Sequence, residues 1–226
     1  MTFEDLSEKP ARMRVARPES RISRRAFYRN GAKRCLDITL VLISLPISLP
    51  LILGMMVLVA IAGGNPVYRQ KRLGRGGRVF DMFKIRTMVP GADALLEDHL
   101  CKNPEARREW DESQKLKYDP RITPLGCFLR KSSLDELPQL LNVLKGDMSL
   151  VGPRPMMVEQ RAIYPGTAYF ELRPGITGPW QVSDRNQSSF AQRAAFDRDY
   201  LMSLSLSGDL SILCRTVSVV LRGTGY

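Results

Sequence analysis

Residues 38–68, ITLVLISLPISLPLILGMMVLVAIAGGNPVY, form a run of 31 residues without a charge, interrupted by Pro46 and Pro50. About 20 apolar residues are enough to span a bilayer, so by length and composition this is a membrane segment. The prolines decide which kind. An interior proline removes a helix hydrogen bond and crowds the preceding turn. The reading is therefore two helical arms, roughly residues 36–45 and 51–62, joined by a break at Pro46 and Pro50. An arm of about 11 residues reaches roughly 16 Å, about one leaflet.

The flanking charges set the topology. Residues 1–36 carry 10 Lys and Arg against 4 Asp and Glu, and residues 69–90 carry 7 against 1. The rest of the chain holds 17 basic and 18 acidic residues, so the net charge of +11 sits on the two flanks of the apolar run. Basic flanks stay cytoplasmic. Two of them favour a hairpin that enters and leaves by one face over a simple crossing; the competing reading is a tilted span with a proline kink. A secretory signal is disfavoured, because the run starts near residue 36 and no small-residue cleavage site cleanly follows. Such flanks suit an anionic leaflet, at about 1 kcal/mol per Lys or Arg near the surface. Nucleic acid is the competing polyanion, but the excess borders the apolar run and lacks interleaved aromatics.

Cys35, Cys101, Cys127 and Cys214 are scattered with no CxxC pair and read as free thiols in a reducing compartment. His99 is the single histidine, which argues against a His-based zinc site or a Ser-His-Asp triad; it reads as a solvated helix residue. Residues 1–30 hold few large apolar groups and are expected to be disordered. The division is then a basic tail over 1–30, a re-entrant membrane hairpin over 31–64 and a small cytoplasmic domain over 65–226. The fold class is α+β.

Within that domain, residues 67–72 and 79–86 alternate as strands around a Gly-rich turn at 74–77. The GRGG turn is not a phosphate loop, since no Gly-Lys-Ser/Thr follows it. Residues 91–116 predict a charged helix burying Ala94, Leu95, Leu96 and Trp110. Residues 119–155 mix breakers with one short amphipathic helix over 136–144, and residues 173–186 read as a polar loop. Residues 189–205 and 208–221 predict amphipathic helices, the first of which can lie on the membrane or face the core.

The segment RKSSLDELPQ, residues 130–139, is the best place for chemistry. Pro138 fits the first turn of a helix, which places Asp135 and Glu136 at its N-terminus. There Asp135 can cap, or Ser133 can cap with Glu136 completing a capping box. A carboxylate so placed stays ionised and can also hold a divalent metal or attack phosphorus, while Arg130 and Lys131 can neutralise phosphate charge. Arg154 in VGPRP and Arg173 in RPG project from proline-stiffened backbone and suit phosphate, or else pair with a nearby acid. Asp147 is a second metal carboxylate or a turn residue. Trp180 and Gln181 can stack on and bond a base or simply pack their loop; Arg185 and Asn186 can contact nucleotide or sugar or cap a turn.

Taken in order, KRCLDI (33–38), NPVYRQKRLGRGGRVFDMFKIRTM (65–88), DPRITPLGCFLRKSSLDELPQLLNVLKGDMSLVGPRP (119–155) and RPGITGPWQVSDRN (173–186) resemble the bacterial sugar transferases that load polyprenol phosphate, the monotopic phosphoglycosyl transferases. The resemblance covers about residues 32–226 and is closest to the exopolysaccharide-initiating, galactose-1-phosphate-transferring members. It implies a re-entrant helix-break-helix, whose usual Ser-Pro break is here displaced to Ser48-Leu49-Pro50. It places the family's acidic dyad on Asp135 and Glu136 and its preceding arginine on Arg130. Also implied are a UDP-hexose donor (galactose or glucose), undecaprenyl phosphate as acceptor at the cytoplasmic leaflet of the inner membrane, Mg²⁺ held by Asp135, and an aspartyl-phosphosugar intermediate formed on Asp135. A homodimer is compatible with this reading, and nucleic acid is not a partner in it. The rival expectations are a non-catalytic membrane scaffold of envelope polysaccharide assembly and a membrane-tethered nucleic-acid binder.

Overall fold

A computed structural model of the chain describes residues 27–113, 116–183 and 190–221. The expected basic tail lies, up to residue 26, outside the described residues, as do Arg185 and Asn186.

The apolar run folds into α1 (Lys33–Ile61), which continues from a π-helical turn at Tyr28–Ala32. Helix α1 passes through Pro46 and Pro50 as one helix of 29 residues, where two separate arms were expected. Each proline withholds a single N–H, from the carbonyls four residues earlier, and the neighbouring bonds carry the helix on. Its mean hydropathy is 2.4, and it is the one helix among the described residues long and apolar enough to cross a membrane. Ile43, Ile47, Leu53, Val57 and Ile61 stand exposed. Ser44 Oγ donates to the Val41 carbonyl at 2.8 Å, whereas Ser48 Oγ is buried with no partner among the described residues.

Both ends of α1 are tied to the rest of the protein. Arg34 donates to the carbonyls of Val143 and Leu144, the latter at 2.9 Å. Asp37 accepts from Ser149 Oγ at 2.8 Å and from the Leu150 N–H at 3.0 Å. Val41 is fully buried in a cluster with Met82, Val143 and Met148, and Val59 is buried with Ile85 and Leu129. A knot of polar groups closes the base: Asp209 accepts from Tyr28, Lys33 and Tyr200 at 2.7, 2.5 and 2.6 Å.

Strands β1 (Val67–Leu73) and β2 (Val79–Ile85) form the expected antiparallel hairpin, with Tyr68 opposite Lys84 and Arg72 opposite Phe80. The helix expected over 91–116 is two, α2 (Ala92–Lys102) and α3 (Pro104–Ser113), divided at Asn103 and Pro104. Each sets its own buried face, so Leu96, Leu100 and Ala106 are buried, with Trp110 packed against them, while Ala94 and Leu95 are exposed. Helix α4 (Pro124–Lys131) starts with Thr123 as its cap, accepting from the Gly126 N–H at 2.9 Å, and Pro124 at its first position. Helix α5 (Gln139–Lys145) replaces the expected 136–144, and ends at Gly146 with φ 91°.

Two very short strands, β3 (Ser149–Val151) and β4 (Gly175–Thr177), pair in parallel, with α6 (Ala168–Glu171) between them in sequence. The sequence predicted only loop here. The pairing depends on glycine: a Cβ on Gly152 would fall on the Arg173 carbonyl, and one on Gly175 on the Gly152 backbone. Helices α7 (Phe190–Ser203) and α8 (Leu206–Leu221) complete the fold, α8 leaving Leu206, Leu210 and Val217 exposed. All four cysteines are free.

Candidate active site

The RKSSLDELPQ segment forms the connection between α4 and α5. Ser133 takes the left-handed conformation, φ 56°, the only non-glycine positive φ among the described residues. A left-handed serine reverses the chain after α4, and Leu134–Glu136 then make a single 3-10 turn. The Ser133 cap does not form: Ser133 makes no side-chain cap bond, and the Glu136 carboxylate accepts from Lys84 Nζ. Pro138 stands at the N-cap of α5, just before the first turn.

Lys84 belongs to β2, and sequence reasoning passed over it. Its Nζ lies 2.7 Å from Glu136 Oε1 and 3.9 Å from Asp135 Oδ2. Thr87, just past the strand, accepts from Arg130 Nε at 2.9 Å. A cation, an arginine and two adjacent carboxylates thus converge from β2, α4 and the turn. Asp135 is only 7% exposed. Burial, with the neighbouring Glu136 charge adding to it, pushes its carboxyl up to about 6, against the opposing pull of Lys84 and Arg130. Lys131 is exposed at the end of α4.

A second cluster forms around Trp180. The Arg154 and Arg193 guanidinium carbons lie 5.4 and 5.8 Å from its ring centre, and Arg193 donates to the Arg154 carbonyl. Arg72 joins them. Burial, reinforced by Arg154 and Arg193, lowers its guanidinium to about 10, and its Nε has no partner among the described residues. Behind the cluster, buried Asp197 accepts from Tyr164 Oη at 2.8 Å and its carboxyl is pushed up to about 6 by burial. Gln181 is buried beside Trp180 in sequence. Side chains alternate along a strand, so Lys84 and Arg72 share one face of the hairpin through their partners Tyr68 and Phe80. Four positions of strand, about 13 Å, separate them along it.

Two expected site residues lie elsewhere. Asp147 follows the C-terminal end of α5, 3.4 Å from Asn142 Nδ2 and 3.9 Å from Lys145 Nζ. The helix puts roughly 10 Å between it and Asp135, so the two are not brought together. Arg173 donates to the Gly146 carbonyl at 2.9 Å, also at that far end. Among the described residues no group of three or more His, Cys, Asp or Glu converges as a metal cage.

Residues 28–223 match the bacterial sugar transferase family, and the chain belongs to that family. Its relatives sharpen the comparison. It is 44% identical over 197 residues to the exopolysaccharide production protein ExoY of Rhizobium meliloti, covering 86% of this chain and 87% of that protein. It is 47% identical over 195 residues to the UDP-galactose-lipid carrier transferase of Erwinia amylovora, and 45% identical over 195 residues to the undecaprenyl-phosphate galactose phosphotransferase of Salmonella typhimurium. In those two cases the match covers 85% of this chain but only 41% of the longer relative.

Proposed function

We propose that the protein transfers a hexose-1-phosphate from a UDP-sugar to undecaprenyl phosphate, the first step of an exopolysaccharide repeat unit. The observation that carries this is the convergence of Lys84 and Arg130 on buried Asp135 and its half-buried neighbour Glu136. An Asp135 oxygen attacks the sugar-linked phosphorus, the bond from that phosphorus to the bridging oxygen breaks, and UMP leaves. The acceptor's phosphate oxygen then attacks the same phosphorus and the Asp135–phosphorus bond breaks, giving undecaprenyl diphosphate sugar and a free carboxylate. Lys84 and Arg130 offset charge on the transferred phosphate. Glu136 holds Lys84 in place. The face that runs from Lys84 to Arg72, Arg154 and Trp180 takes the other phosphate and the base. Names of relatives support the acceptor and a galactose or glucose donor.

Two adjacent carboxylates fit a magnesium ion, which ordinarily takes one or two protein carboxylates and completes its shell with phosphate and water. Asp135 and Glu136 would hold it, and when bound it spreads the charge of the diphosphate.

The membrane segment serves this chemistry as a re-entrant hairpin in the cytoplasmic leaflet. Val41 and Val59 are 18 residues apart, about 27 Å in a straight helix. The β2 residues in their two clusters, Met82 and Ile85, are about 10 Å apart. A bend at Pro46 and Pro50 reconciles these spacings and supports entry and exit by one face.

The test is UMP release by purified protein supplied with magnesium, undecaprenyl phosphate and a panel of UDP-sugars. Turnover with one sugar, lost in Asp135→Asn, is expected. Absence of release from any donor by folded, membrane-bound protein would move the function to the scaffold reading.

A further inference from the structure

A second concavity lies apart from the carboxylate pair, lined by Arg29, Lys33, Asp37, Arg75, Ser149 and Arg173. Its acids are already engaged. Asp37 accepts from Ser149 and Leu150, Glu171 at the rim stands 3.7 Å from Arg29, and Lys33 is taken by Asp209. Arg75 and Arg173 meet no carboxylate among the described residues. Arg173 lines the cleft while its Nε donates to the Gly146 carbonyl, and Arg29 Nε is buried without a partner among the described residues. Burial and the neighbouring Arg34 and Arg75 hold the Arg173 guanidinium below its ordinary range, with Asp37 opposing them only in part.

The cleft is separate from the carboxylate pair. It adjoins the C-terminal end of α5 and the tip of the β1–β2 hairpin, whereas Asp135 precedes α5 and Lys84 lies near the hairpin base. Lys33 and Asp37 belong to the first two turns of α1, roughly 7–14 Å before its exposed apolar positions begin at Leu42. With α1 inserted, the cleft lies at head-group depth.

We propose that this cleft binds the phosphate group of a membrane lipid, and that it favours a phosphate monoester. Arg75 and Arg173, neither in an ion pair within 4 Å among the described residues, bring two positive charges to it, and guanidinium forks match its oxygens. Full-length protein in detergent, titrated with phosphatidic acid, phosphatidylcholine or inorganic phosphate, tests this by native mass spectrometry of the retained ligand. Phosphatidic acid should be retained in preference to phosphatidylcholine. Arg75→Gln and Arg173→Gln should each weaken that retention about ten-fold. Displacement by inorganic phosphate with no advantage for the lipid would support the anion site but assign it to the free ion. Equal retention of both lipids, or retention unchanged in both variants, would overturn the proposal. Arg75 is exposed in a turn, so its variant remains informative should Arg173→Gln fail to fold. The readout is binding, so the outcome is independent of the transfer chemistry at Asp135.

Discussion

Lys84 Nζ lies 2.7 Å from Glu136 Oε1 and within 3.9 Å of Asp135, so one strand cation serves both carboxylates of the turn. Neither carboxylate is fully hydrated, and two adjacent negative charges in a partly dry pocket repel. The lysine offsets that repulsion, and under the proposed transfer it would also meet phosphate oxygens of the substrate.

Lys84→Met should therefore cost more than a surface lysine. We expect UMP release to fall about 10²- to 10³-fold, and Lys84→Arg to recover part of it. The apparent pKa of Asp135 should rise further in Lys84→Met, because the lysine opposes the shift that burial causes. Steady-state rates across pH check both. Unchanged rates in Lys84→Met would remove the residue from the site.

Ser133 is the conformational hinge of the turn that carries the pair. A serine at φ 56° costs free energy that glycine does not. Ser133→Gly should leave stability within about 0.5 kcal/mol of the native protein, while Ser133→Val, β-branched in a left-handed position, should lose about 1–3 kcal/mol. Activity should follow the same order, since the turn aims Asp135. Denaturant unfolding of the three proteins decides it, and a valine variant as stable as the glycine one would mean the turn is not constrained.

The turn that carries Asp135 and Glu136 was legible in the sequence because its signals are local. A proline after two acids and two serines after a basic pair mark a chain reversal between helices, and Asp135, Glu136 and Arg130 do share one site. Lys84 and Thr87 were not legible, being about 50 residues away in an alternating strand where a lysine reads as a solvent-facing residue. Arg154 and Arg193 meet over Trp180 with Arg72 close enough to feel both charges, and no periodicity encodes that meeting of distant segments. Strands β3 and β4 have three residues each, too few to show alternation; close glycine backbone, not pattern, makes them pair. The prolines suggested two arms, roughly 36–45 and 51–62, where hydrogen bonding continues as one helix over Lys33–Ile61. The capping reading at Ser133 failed because an N-cap serine needs extended backbone and this one is left-handed.

The raised carboxyl of Asp135 has a stability signature. Its ordinary value is 3.8 and its folded value about 6, so between these the native state keeps a proton that the unfolded state has lost. Stability from this group is present below pH 3.8 and is lost as pH rises through 6. Asp135→Asn has no such loss. With a chelator present, the stability advantage of the Asn variant over the native protein should grow by about 2–3 kcal/mol from pH 4 to pH 7.5. Asp197 titrates in the same window but is common to both proteins and cancels. Unfolding curves at several pH values measure the difference, and a gap independent of pH would contradict the buried, raised carboxyl.

The path of α1 can be tested with single cysteines. Cys35 stands exposed in the first turn of α1, and Asn65 is exposed just beyond its last turn. A re-entrant helix puts both on the cytoplasmic side, whereas a crossing helix separates them by a bilayer. In protein retaining only Cys35, or carrying only Asn65→Cys, a membrane-impermeant maleimide should modify neither in intact cells and both in inside-out vesicles. The Arg34 bonds to the Val143 and Leu144 carbonyls and the Val59 packing on Ile85 and Leu129 would then hold in one compartment, as a bend at Pro46 and Pro50 requires. Modification of either residue in intact cells, with the other protected, would mean that α1 crosses. The two basic flanks would then lie on opposite sides of the membrane, against the charge rule that motivates the hairpin.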